Sequence, residues 1–262
     1  MKRSKGASRP KPGHTDRTTV KFELKVGDET LHVSLKLPTT RTSPRRMLPV
    51  FQSVAHKLID AGVAEATARG ESVSCKAGCG ACCRQSVPIS LTEARHLAGL
   101  VDAMPEPRRS DVRARFADAL TRLEAAGLLG ELRKLDEMPA EWHAGLNARY
   151  LPLRIACPFL EDESCSIHPD RPVICREYLV TSSPEHCVDA SPETVRRIPI
   201  AAHVSTDVVL LEYRGPAASR VPLVLALEWA EKHAHDEPAP RPPVEWLEHV
   251  FESHPGRAPA EP

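Results

Sequence analysis

Aromatic side chains are scarce, at 4% of the 262 residues. A core with so few large rings gains from metal or covalent staples. Net charge is missing too, with 35 Lys plus Arg set against 35 Asp plus Glu. That balance exerts no global pull on nucleic acid or anionic lipid, so neither is expected as a partner. No stretch approaches the roughly 20 apolar residues of a membrane span. Met1 to Thr19 is basic and polar, with no apolar run of the kind a secretory signal needs. The chain is therefore expected in the cytoplasm, where clustered thiols are metal ligands or redox groups more often than disulfides. Internal repeats, a P-loop, a dinucleotide fingerprint, an H-E-x-x-H pair and a Ser/His/Asp arrangement are all absent, so no catalytic residue is assigned.

What is there falls into regular and irregular stretches. Residues 1–18 read as a disordered basic tail. Residues 19–37 alternate strictly. Val20, Phe22, Leu24 and Val26, then Leu31, Val33, Leu35 and Leu37 after Gly27-Asp28, predict a β-hairpin with one buried face. Helical spacing follows. Leu48, Phe51, Val54, Leu58 and Ala61 share a face of a helix that Gly70 can end. Ser90 and Glu93 form an S-x-x-E capping box ahead of Leu91, Ala94, Leu97 and Val101. A third helix carries Val112, Phe116, Leu120 and Leu123, with Gly127 beyond it, and a weaker one spans about Ala140 to Tyr150. Val221 to His233 and Val244 to Phe251 also read as helices. The expected organisation is a single domain over 19–235, with 236–262 as Pro-rich linker, short helix and tail. The fold class is mainly α with an N-terminal β-hairpin and an irregular, loop-rich cysteine module stapled by metal.

That module holds all eight cysteines in two groups: Cys75, Cys79, Cys82 and Cys83, then Cys157, Cys165, Cys175 and Cys187. None is scattered onto a helix face, the usual place of a free core cysteine. Gly78 and Gly80 flank Cys79 and allow a tight fold that turns several sulfurs toward one point. Four thiolates on Zn²⁺, or on a four-iron core, leave a charge of about −2. Lys76, Arg84, Arg171 and Arg176 lie near enough in sequence to offset it. The adjacent Cys82-Cys83 pair reads as extended, with side chains pointing apart and serving different metals. His168 is a candidate nitrogen ligand, although a turn residue before Pro169 is the simpler reading. Glu161-Asp162-Glu163 reads as a solvated turn, and Glu177 as a member of a surface ion pair. Arg171-Pro172 is expected to open a short helix carrying Cys175.

The pieces Cys75-x₃-Cys79-x₂-Cys82-Cys83, Cys157-Pro-Phe-Leu160 and Cys165-Ser-Ile-His-Pro-Asp-Arg-Pro-Val-Ile-Cys175-Arg176 resemble the YkgJ-type cysteine-cluster family, the CxxCxxCC zinc- or iron-chelating domain. The likeness covers about Ser74 to Cys187. It implies metal chelation by Cys75, Cys79, Cys82, Cys83, Cys157, Cys165 and Cys175. Cys187 is added for its nearness and because no other cysteine stands apart. Arg171, Arg176 and His168 are placed beside the metal rather than on it. A related arrangement occurs in flagellin lysine N-methylases, but no glycine-rich loop typical of S-adenosylmethionine binding is present here. The spacing Cys75-x₃-Cys79-x₂-Cys82 is also that of radical S-adenosylmethionine enzymes, yet Ala81 stands where those place an aromatic, and the sequence beyond Cys83 is helical rather than barrel-forming.

Three functions follow as expectations. The first is a metal-binding protein, with an iron–sulfur cluster as first choice and zinc as second, acting in electron transfer, sensing or oxidoreduction. The second is a structural zinc module that presents a surface to a protein partner. The third is a metal-dependent enzyme that modifies proteins.

Overall fold

The computed structural model describes residues 17–26, 29–135, 140–212 and 220–252. Strands β1 (Arg17–Val26) and β2 (Glu29–Pro38) pair antiparallel, with Val20 opposite Leu35 and Phe22 opposite Val33. In β2, Val33, Leu35 and Leu37 are buried while His32, Ser34 and Lys36 are exposed, which is the alternation of a one-faced ribbon. The expected basic tail lies outside the described residues as far as position 16, and Arg17 and Thr18 already belong to β1. The Gly27-Asp28 turn and the tail beyond residue 252 also lie outside them.

Helix α1 (Pro44–Ala68) starts on a proline, whose fixed φ suits a first turn. It ends in a Schellman motif: Gly70 (φ +77°) donates its N–H to the Thr67 carbonyl, and Glu71 donates to that of Ala66. Its buried stripe includes Leu48, Phe51, Val54 and Leu58 but not Ala61, which is exposed. Beyond Ile59 the stripe runs through Gly62 and Ala66 instead, because a helix turn of 3.6 residues rotates position 61 off the face.

The short strand β3 (Pro88–Ser90) leads into α2 (Leu91–Asp102). Both halves of the expected capping box are made: Ser90 Oγ accepts from the Glu93 N–H, and the Glu93 carboxylate accepts from the Ser90 N–H. Helix α3 (Arg108–Ala125) ends with a second Schellman motif at Gly127 (φ +69°). Helices α4 (Leu129–Leu132) and α5 (Ala140–Tyr150) complete the stretch between the cysteine groups. The second cysteine group lies along strands β4 (Leu160–Glu161) and β5 (Ser164–Cys165), then α6 (Val173–Glu177). Beyond it come α7 (Val204–Leu210), β6 (Arg220–Pro222), α8 (Ala226–Lys232) and α9 (Pro243–Glu252). The molecule is mainly helical with a small N-terminal hairpin, as the sequence patterning predicts.

Two readings need correction. The helix expected over Val221–His233 begins only at Ala226. Val221 and Pro222 belong to β6, which pairs antiparallel with β3, and a 3₁₀ turn at Leu223–Leu225 intervenes. Pro222 brings no N–H to an α-helical ladder, so the chain stays extended up to it. The stretch expected as linker, short helix and tail docks firmly as far as it is described. Trp246 of α9 is 1% exposed and donates its indole N–H to the Thr42 carbonyl (2.8 Å), while Arg45 pairs with Glu237.

Apolar side chains gather in two clusters. One joins β2, α1, α7 and α9 around Met47, Phe51, Leu58, Val208 and Trp246. The other joins α2, α3, α4 and the end of α5 around Leu97, Phe116, Leu123, Tyr150 and Phe159. Two consecutive residues of α6 divide between them: Val173 belongs to the first cluster, and Ile174 packs on the second. The helix that carries Cys175 therefore lies at the junction of the two cores.

Candidate metal centre

The first cysteine group folds by local hydrogen bonds. Cys79 N–H donates to the Lys76 carbonyl, and Cys83 N–H to that of Gly80. Gly78 (φ +81°) takes a left-handed conformation that costs a glycine nothing. Residues Ala81–Arg84 form a 3₁₀ turn, so the expectation of an extended Cys82-Cys83 pair is wrong. Neighbours in a 3₁₀ turn are about 120° apart rather than opposed. The two thiols share a hydrogen bond.

The second group depends on helices from elsewhere. Phe159, two residues after Cys157, is buried edge-on against Phe116 of α3, with ring centroids 5.5 Å apart. Arg115 of the same helix donates to the Pro158 carbonyl and pairs with Glu161 (both 3.0 Å). Asp162 and Glu163 connect β4 and β5 with φ of 47° and 56°. Positive φ at both central residues is the type I′ geometry that two-residue hairpins favour. The acidic triplet is no cation site: Glu161 pairs with Arg115, and Glu163 takes both ends of the Arg84 fork at 2.5 and 2.9 Å.

The two groups meet. Cys157 N–H donates to the Cys83 carbonyl at 2.7 Å, and Ser74 N–H to that of Val180 at 2.9 Å. The Gly78 N–H donates to Ser164 Oγ (3.1 Å), and Gln85 reaches the Cys187 carbonyl (3.1 Å). A Cβ on Gly80 would stand 2.6 Å from Glu163 Oε2 and 2.7 Å from Leu160 Cδ1, so only glycine lets the loop lie this close to the hairpin.

All eight cysteines are free thiols; Cys187 is buried and the other seven are partly buried. Their charges are mutually felt. Cys82 bears on Cys75, Cys157, Cys165, Cys175 and Cys187. Burial pushes Cys157 up to about 12 and Cys187 up to about 11, and holds Cys75, Cys165 and Cys175 above the usual thiol range. Cys82 is raised by its hydrogen bond with Cys83 and then by burial. Without a cation bound, these groups keep their protons; a bound metal displaces them. Opposing the burial, the backbone N–H groups of Val180, Phe159 and Ile167 point at the sulfurs of Cys75, Cys157 and Cys165, and the Tyr178 hydroxyl at Cys187. Each such donor favours the thiolate. The donor set thus fits a thiophilic metal, although no three His, Cys, Asp or Glu side chains among the described residues already stand in a coordination geometry. Thiol rotors would have to turn onto the ion.

Three neighbours differ from expectation. Arg176, read as a surface cation beside the metal, is buried and bound by protein atoms. Its guanidinium donates to the carbonyls of Arg171 (3.0 Å) and Pro169, and to His56 Nε2 (2.9 Å). Glu177, read as a surface ion pair, is buried. It accepts from the Ser205 N–H (3.1 Å) and hydroxyl (2.6 Å), and so caps α7 from outside that helix. His168 opens a 3₁₀ turn and is exposed; the Arg171 charge, and then burial, lower its pKa. Arg171 keeps its expected position: its charge bears on Cys75, Cys82 and Cys165.

Tyr178, Gln85 and His56 escaped the sequence reading, since their only local signal was nearness to a cysteine or none at all. Glu93 was read as a cap alone. Its carboxylate also accepts the Val173 N–H (2.8 Å), tying α2 to the first residue of α6. Burial raises its pKa against the three donors that hold it.

Fold and site together define a helical protein built around a thiol-rich chelating module. Residues 74–194 match the family described as "CxxCxxCC: Putative zinc- or iron-chelating domain", which bears out the resemblance read from the cysteines over that segment. No curated protein and no solved structure matches the chain. Among the described residues, no helix is long and apolar enough to cross a membrane.

Proposed function

We propose that this is a metalloprotein whose cysteine module holds an iron–sulfur centre, with Cys75, Cys79, Cys82, Cys83, Cys157, Cys165, Cys175 and Cys187 as its ligand set. The carrying observation is the Cys157 N–H to Cys83 carbonyl bond, which brings two remote groups of free thiols into one electrostatically coupled cluster. Iron–sulfur is favoured over a single zinc ion because eight thiols exceed the four that a structural zinc takes. Backbone N–H groups aimed at three of the sulfurs also supply the hydrogen bonds by which proteins set cluster potentials. Such a group would supply one-electron chemistry. The residues of this chain contribute burial, N–H donors and the Tyr178 hydroxyl around the sulfurs. An electron-transfer or sensing role in a reducing, cytoplasmic setting follows from that reading.

The test is metal and acid-labile sulfide analysis of anaerobically purified protein, with its visible spectrum. Iron with stoichiometric sulfide and broad visible absorption is expected. Colourless protein with stoichiometric zinc would replace the iron–sulfur reading with a structural module, and metal-free protein would end both. Cys79→Ser is expected to lower metal content and stability together, because metal binding is coupled to folding.

A further inference from the structure

The geometry points to Arg171 as the positioning residue whose Nε–H donates to a metal-bound sulfur of the centre, held in place for that task by Arg176. This inference rests on the metal reading above and goes beyond it by separating the two arginines of the R-P-x-x-C-R stretch. Arg171 Nε is buried and has no hydrogen-bond partner among the described residues. A buried charged donor left unmatched is costly, so such groups face acceptors they are built to meet. The acceptors on its side are sulfurs: Cys75, Cys82 and Cys165 all feel the Arg171 charge, and they come from both cysteine groups.

Arg176 cannot do the same work, because its guanidinium is already taken. Nε donates to the Arg171 carbonyl, Nη2 to the Pro169 carbonyl, and Nη1 to His56 Nε2. The first two bonds span the turn that presents Arg171, so Arg176 fixes the backbone from which Arg171 reaches out. As an acceptor, His56 Nε2 must be unprotonated, and burial followed by the Arg176 charge keeps the His56 pKa low. Pro172 lies between the two arginines as N-cap of α6, which sends one side chain toward the thiols and the other back along the turn. A thiolate-bound metal carries about two negative charges, and Arg171 is placed to answer part of that charge.

The experiment uses full-length protein loaded with its own metal. Metal release to excess chelator is followed anaerobically for wild type, Arg171→Gln and Arg171→Lys. The midpoint potential is added if the metal is iron. Outer groups that hold metal ligands typically alter affinity by about 10–100-fold, so Arg171→Gln should release metal at least about tenfold faster. In an iron form its potential should shift negative, since lost positive charge disfavours the reduced state. Arg171→Lys, which keeps the charge, should fall between the two. Wild-type release and potential in Arg171→Gln would overturn this inference alone. Metal-free wild-type protein would overturn the parent reading and this one with it. If metal-free Arg171→Gln and Arg171→Lys both lose the helical circular dichroism that metal-free wild type keeps, Arg171 serves the fold, and the inference falls.

Discussion

Gly80 and Gly78 look alike in sequence and do different work. Gly80 is required by its surroundings, where the Leu160 methyl and the Glu163 backbone leave no room for a Cβ. Gly78 is required by its own left-handed φ and has open space around it. Gly80→Ala should therefore push the first cysteine loop off the β4–β5 hairpin, costing about 1–3 kcal/mol and speeding metal loss. Gly78→Ala should cost about 1 kcal/mol of backbone strain and leave the hairpin contact intact. Urea unfolding and chelator competition on the two variants would separate them; equal rates of metal loss would remove the steric role of Gly80. At this scale the sequence was a partial guide. It located every cysteine of the cluster, because thiols in a C-x₃-C-x₂-C-C run have few other uses. It misjudged Arg176 and Glu177, whose partners His56 and Ser205 are remote in the chain or lie on another helix. Nothing near a residue in sequence says which distant carbonyl or N–H it will meet.

Elements with local signals were legible. The β2 alternation, the Ser90–Glu93 box and the glycines after α1 and α3 each act within a few residues of where they are read. The β3–β6 pair was not, since three-residue strands far apart in the chain leave no period to find. The Pro238–Pro243 break marked where α9 begins but not that Trp246 would be buried. Contacts between elements also govern response to pH. Glu228 of α8 pairs with Arg133, just beyond α4, and with Lys232, both at 2.8 Å. The Arg133 hydrogen bond, with the other cation, holds its carboxyl below the usual range against the pull of burial. A depressed carboxyl contributes stability that is present above its unfolded-state pKa and is lost as pH falls through the folded value. Glu228→Gln should accordingly destabilise the protein by about 0.5–1 kcal/mol at pH 7, and by less at pH 3. Urea midpoints at the two pH values check this; an equal loss at both would mean the pair is not the source.

Across the whole molecule, the cysteine module sits between two apolar clusters that share α6. Removing the metal should release more than the ligand loops. Amide exchange should rise first over residues 157–187 and then at α1 and α2, which lie on opposite sides of that helix. Hydrogen-exchange mass spectrometry before and after chelation would show it, and a change confined to residues 75–83 would argue against a shared junction. The chain order at this junction also has a consequence for biosynthesis. Cys83 offers its carbonyl to an N–H that is made only after α2 to α5 have been synthesised, and Cys187 follows later still. The first four thiols therefore leave the ribosome without their counterparts and stay open until most of the chain has emerged. Metal loading belongs to the end of synthesis, and a stalled or truncated chain would present unsatisfied thiols to quality control.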